Sequence, residues 1–179
     1  RQDYIISNNM LASCFDSNDD FLIYKDSVDI AQVRNEQEFK FISDTGVPFY
    51  WATCVFFRKT EVNKIYFNLL QHIEEEWQHY RRVYQITSPL FRNDFAFSIG
   101  IHIMNGFCRG SFAKQLPGKM MYTTDQDILW DLDEEKMTFL VEKKDYKGEY
   151  TALRTNGQNI HVMNKFSLGR IIDKVSANE

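Results

Sequence analysis

Residues 53–58, Thr53-Cys54-Val55-Phe56-Phe57-Arg58, lead almost directly into residues 60–84, TEVNKIYFNLLQHIEEEWQHYRRVY, and this junction decides the fold class. The first run is short, apolar and rich in β-branched and aromatic residues, so it predicts a buried strand. In the second, Val62, Ile65, Tyr66, Leu69, Leu70, Ile73, Trp77, Tyr80, Val83 and Tyr84 recur at steps of three and four. That spacing lines one face of a long helix. Thr60 is placed to cap it, Glu61 suits the positive end of the helix dipole, and Ser88-Pro89 closes the segment.

Working outward, residues 4–7 and 20–25 read as strands and residues 9–15 as a short helix or turn. Residues 26–47 are mixed and polar and predict irregular structure with short pieces. A second helix is predicted over residues 94–104, capped by Asn93 and closed by Asn105-Gly106. It is apolar nearly all round, which predicts burial. Short strands follow at 120–123, 128–132, 137–142 and 150–154, with turns at Tyr146-Lys147-Gly148 and Asn156-Gly157. A last strand at 160–162 leads to a helix capped by Asn164, with Phe166, Leu168, Ile171, Ile172 and Val175 giving its period. Strands and helices mix without a regular βαβ alternation. The expected fold class is therefore α/β, a mixed sheet with flanking helices, in one unit.

Composition excludes several function classes. A net charge of −4 with scattered Lys and Arg argues against nucleic-acid and membrane-surface binding. Eight Gly and three Pro argue against disorder or long linkers. Cys14, Cys54 and Cys108 are odd in number and lack metal-site spacing, which favours buried thiols in a reducing, cytoplasmic setting. No apolar run is long enough to span a membrane. Nucleotide-binding glycine loops, nucleophile elbows and zinc-protease motifs are all missing. An aromatic share of 15% predicts a thick core and a surface for stacking.

Four clusters could carry chemistry. In Asn159-Ile160-His161-Val162-Met163-Asn164-Lys165, a histidine ends a strand and a helix begins. A neutral imidazole there can ligate a metal, and Lys165 with the first helical amides can hold a phosphate. The alternative is a satisfied core histidine and a solvated lysine. Asp3, at a strand edge, can ligate a hard cation or serve as a turn residue. Arg92-Asn93-Asp94, flanked by Phe91 and Phe95, reads as polar groups at a cleft mouth or as an ordinary helix start. Phe49-Tyr50-Trp51 reads as a sugar-stacking platform or as core. His72 and His79 read as a solvated helix face, and His102 as structural.

Taken in order, the run from Pro48 to Glu61, the segment from Phe91 to Ile99 and the motif from Asn159 to Lys165 resemble the second half of a GT-A nucleotide-sugar glycosyltransferase. The last motif is similar to the C-terminal histidine motif of its glycogenin-like and galactosyltransferase-like branch. The resemblance extends to glycosyltransferase-like proteins of marine phages and related microbes, and covers nearly the whole chain. It implies a partial GT-A fold, from which the nucleotide-binding half that precedes the D-x-D pair in such enzymes is expected to be missing. It further implies Mn²⁺ or Mg²⁺ held by His161 and by Asp3, which falls at the second position of a D-x-D pair whose first position is Arg1. Lys165 and Asn164 are expected at the donor phosphate. Asp94 is the expected catalytic carboxylate. Tyr50, Trp51, Arg92 and Asn93 are expected around the sugar or acceptor. The implied partners are a nucleotide-sugar donor, an acceptor and a second copy of the chain covering an exposed sheet edge. The competing expectation is a non-catalytic remnant or partner-binding domain that keeps the fold without a complete donor site.

Overall fold

The computed structural model describes residues 4–25, 27–31 and 40–176. In chain order the elements are β1 (Tyr4–Ile5), α1 (Asn8–Asp16), β2 (Phe21–Tyr24), β3 (Ser27–Asp29), β4 (Trp51–Phe57), α2 (Glu61–Glu75), α3 (Trp77–Val83) and α4 (Asn93–Met104). They continue with β5 (Lys114–Gln115), β6 (Met120–Tyr122), β7 (Ile128–Asp133), β8 (Lys136–Lys143), β9 (Tyr146–Asn156), β10 (Asn159–His161) and α5 (Lys165–Ser176). The architecture is mixed α/β, with parallel and antiparallel pairs in the same sheets. Among the described residues no helix is long and apolar enough to cross a membrane.

Where composition marks no boundary, contacts divide the chain into two compact, interleaved units. Of the described residues, 4–15, 27–31 and 118–176 form the first unit; 16–25 and 40–117 form the second.

In the second unit β2 is central, antiparallel to β4 and parallel to β5. All four residues of β2 are buried, whereas β4 is half-buried and ends on exposed Phe57. The expectation of a buried strand at 53–58 is thus corrected: β4 lies at the sheet edge. The long helix starts as the sequence predicts, with the Asn63 amide donating to Thr60 Oγ1 at 3.2 Å. It then breaks at Glu76 into α2 and α3. Three successive carboxylates, Glu74 to Glu76, sit at the negative end of the α2 dipole and disfavour its continuation. The apolar face crosses the break through Tyr66, Leu70, Ile73 and Trp77, while Val62, Ile65 and Val83 point to solvent. α4 packs against α2 at Gly100. A Cβ there would lie 2.8 Å from Tyr66 Cε2, so glycine sets the close approach. The cap of α4 differs from expectation. Arg92 is the extended residue before the helix, and Asn93 is already its first helical residue.

The first unit holds a four-stranded sheet, β1-β10-β6-β3, and an antiparallel β7-β8-β9 meander. Within the former, β10, β6 and β3 run parallel and β1 antiparallel. Ile160, Leu129, Met137, Phe139, Leu168 and Ile171 build its core. α5 buries Leu168 and Ile171 there but leaves Phe166 92% exposed, so Phe166 does not belong to the apolar face. The turn expected at Tyr146-Lys147-Gly148 falls instead at Lys144-Asp145. The register shifts between Glu142 and Lys143, and Gly148 lies inside β9 at φ +82. An irregular residue in the ladder needs a backbone shape that glycine supplies, so this glycine marks a distortion rather than a turn. Cys14 is buried, Cys54 half-buried and Cys108 exposed; the expectation of a buried thiol fails for Cys108.

Candidate functional site

His161 is placed by strand alternation. Ile160, its neighbour on β10, is fully buried in the core, so the histidine side chain leaves the strand on the opposite face. Its register partners are Tyr4 on β1 and Tyr122 on β6, and Tyr122 in turn pairs with Asp29 on β3. Paired positions share a face, so Tyr4, His161, Tyr122 and Asp29 form one row across the sheet. The row lies at the carboxyl ends of the three parallel strands. The His161 ring packs on Tyr4 with centroids 4.4 Å apart and planes tilted by 34°.

The backbone just past the row is tied down. Thr123 donates to the His161 carbonyl at 3.0 Å, and Met163 donates to Thr123 Oγ1 at 2.9 Å. Asp29 is 2% exposed, and its Oδ1 accepts the Ala31 amide at 2.7 Å. Asn164 caps α5 as expected, its Oδ1 accepting the Ser167 amide at 3.1 Å. Its carboxamide oxygen therefore serves the helix end. Lys165 is the first residue of α5 and is exposed. Asp3 lies outside the described residues. Among the described residues no group of three or more His, Cys, Asp or Glu could hold a metal ion.

Asp29 and Tyr122 were not legible as site residues. β3 has three residues inside a polar stretch, too few to show a period. The pairing that sets both beside His161 joins segments distant in sequence.

The remaining candidates belong to the second unit. Asp94, in the first turn of α4, accepts the Ala52 amide on Oδ1 at 2.9 Å and Arg92 Nη2 on Oδ2 at 2.8 Å. Its carboxylate therefore ties β4 to the start of α4. The Arg92 guanidinium also lies 5.4 Å from the centre of the Phe95 ring. Asn93 is exposed at the helix start. Trp51 is half-buried on β4 and meets Phe49 edge-on at 4.9 Å. Tyr50 is 5% exposed, and burial pushes its hydroxyl pKa up. Its amide donates to Ser98 Oγ at 2.8 Å, and Lys25 Nζ lies 5.6 Å from its ring centre. Within this unit, then, Tyr50, Trp51, Arg92, Asn93 and Asp94 are gathered where β4 meets α4, whereas His161, Asn164 and Lys165 belong to the first unit.

Comparison of the chain with protein-family models, with curated proteins and with solved structures finds no match.

Proposed function

We propose that this chain takes part in transfer of a sugar from a nucleoside-diphosphate donor, with divalent-metal assistance. The observation that carries the proposal is the row at the carboxyl ends of β3, β6 and β10, where His161 leads within four residues into the first turn of α5. Ligands of open α/β sheets sit outside the carboxyl ends of parallel strands, and helix amino ends favour phosphate.

In this reading His161 and Asp3 would hold Mn²⁺ or Mg²⁺, as the sequence resemblance implies. One half-buried imidazole at a strand end and one carboxylate would supply two ligands of such an ion, and the nitrogen donor suits manganese better than magnesium. The bound ion would supply charge stabilisation for the departing diphosphate. Tyr4 packs on the His161 ring. Lys165 takes donor phosphate oxygens at the amino end of α5, while the Asn164 carboxamide, holding the Ser167 amide, keeps that turn formed. In the second unit, taken by itself, Asp94, Arg92, Asn93, Tyr50 and Trp51 are the candidates for holding a sugar or acceptor hydroxyl. Asp94 has a bond on each oxygen, so it orients a hydroxyl with its remaining lone pairs.

The test is thermal unfolding of the chain with UDP, GDP and their glucose esters, each with and without Mn²⁺. Ligand at about 100 times its Kd stabilises by about 2.7 kcal/mol, a rise of roughly 5–10 °C for a chain of this size. The rise should require Mn²⁺ and should disappear in His161→Ala and shrink in Lys165→Gln. If no nucleoside diphosphate shifts the melting curve, the donor site is refuted. The double engagement of Asp94 favours one second reading, a non-catalytic domain that keeps the fold and binds a partner. That reading predicts no nucleotide response at all.

A further inference from the structure

A cavity of about 240 Å³ opens in the second unit, lined by Lys25, Pro48, Tyr50, Ser98, Ile101, His102, Asn105, Cys108, Arg109 and Gly110. We infer that it is an anion pocket for a phosphate monoester on a small, partly apolar body. The inference stands on the second unit alone and does not depend on the donor reading.

Charge comes first. Lys25 and Arg109 both line the cavity, and among the described residues no carboxylate does. Among the described residues neither has a carboxylate partner. A lysine and an arginine lining one space suit a phosphate dianion, which takes a point charge and a forked donor together. His102 adds a ring whose Nδ1 is tied to the Tyr84 hydroxyl at 3.1 Å, so Nε2 is the nitrogen left for the cavity.

The carboxyl end of α4 also borders this space, and its dipole opposes an anion. Its carbonyls, however, are already engaged. Those of Ile101, Ile103 and His102 accept the amides of Asn105, Gly106 and Phe107, at 3.0, 2.8 and 2.9 Å. The residual helix charge is about half an electron, against two full cations.

The loop that carries Arg109 is built rather than loose. Asn105 Oδ1 accepts the Phe112 amide at 3.0 Å, and the Asn105 carbonyl accepts Cys108 Sγ at 2.8 Å. A Cβ on Gly110 would overlap the Asn105 carboxamide, so the chain can close around it only with glycine there. Phe107 adopts a left-handed backbone, φ +61, while its side chain is 68% exposed. For a non-glycine residue that costs about 1–2 kcal/mol. Strain of this kind persists only where surrounding contacts hold the segment in place.

The opposite wall gives the ligand its body. Pro48, Tyr50 and Ile101 are apolar neighbours of the charged rim, and the buried Tyr50 ring carries Lys25 above it. A cavity of this size admits a group about as large as one sugar ring beside the phosphate.

The experiment is calorimetric titration of the full chain with glucose 1-phosphate, inorganic phosphate and glucose. The proposal expects saturable binding of glucose 1-phosphate, weaker binding of inorganic phosphate and none of glucose. Binding should weaken as salt rises. In Lys25→Gln/Arg109→Gln, affinity for the ester should fall at least tenfold, with the exposed Lys64→Gln of the same unit unchanged. Both altered side chains are exposed, and far-UV circular dichroism with the two single variants checks that folding is intact. Absence of saturable ester binding, or an unchanged affinity in the double variant, overturns the pocket. Inorganic phosphate binding as tightly as the ester assigns the site to free phosphate and overturns the ester.

Discussion

Asp94→Ala should destabilise the chain by about 1.5–4 kcal/mol. One oxygen of Asp94 accepts the Ala52 amide at 2.9 Å, and a hydrogen bond to a charged group contributes roughly 1.5–3 kcal/mol. The other oxygen meets Arg92 at 2.8 Å, but with the arginine side chain 44% exposed that pair adds at most about 1 kcal/mol. An acid in the first turn of α4 contributes a further ~0.3–1 kcal/mol through the helix dipole. These overlap, so the range sits below their sum. Asp94→Asn keeps an acceptor for Ala52 and loses only the charge, and should cost about 1 kcal/mol. Urea unfolding measures the total. Hydrogen exchange at the Ala52 amide locates it, because that proton loses its acceptor only in the alanine variant. If Asp94→Ala unfolds at the wild-type urea concentration, the carboxylate does not hold β4 to α4. Asp94 would then have to be explained by chemistry alone.

Two further outcomes test the packing of the second unit. Gly100→Ala should destabilise by about 1–2 kcal/mol in urea unfolding despite the better helix propensity of alanine, because its Cβ would meet Tyr66 at 2.8 Å and Leu70 at 3.0 Å; a gain of stability would mean that the Tyr66 ring yields freely. Burial, with a smaller contribution from Tyr50, raises the Tyr66 pKa well above its ordinary 10.0, so the unfolded chain loses this proton first as pH rises. Folding stability should thus be independent of this group below pH ~10 and fall above it by up to about 1.4 kcal/mol per pH unit. Unfolding curves at pH 9, 10 and 11 should show the fall, reduced in Tyr66→Phe; an equal slope in that variant would remove Tyr66 from the account.

Much of the fold was legible because its rules are local. The apolar period over residues 60–84 and the Thr60 cap belong to neighbours along the chain, and both appear in α2 and α3. The interruption at Glu76 was not legible, since Ile73 and Trp77 keep the period across it. Sheet partners were not legible either. β1, β3, β5, β6 and β10 have two or three residues each, and their partners lie far away in sequence. The interleaved units follow from those pairings, so no shift of composition announced them.

The same distinction bears on the candidate site. Asn164 and Asp94 stood out because they occupy recognisable places at helix starts. Such places are recognised because the backbone needs an acceptor there, and the structure shows that need being met: Asn164 Oδ1 holds the Ser167 amide, and Asp94 Oδ1 holds the Ala52 amide. A residue found by its capping position has thereby committed an oxygen to the fold. Lys25 and Arg109 have no such local role, and the sequence offered no reason to select them. They meet over one cavity only because β2 and the loop after α4 are brought together by tertiary packing. Polar groups that local structure does not require are the ones left for a ligand, so Lys25, Arg109 and His102 are a sharper place to look for chemistry than the caps that first drew notice.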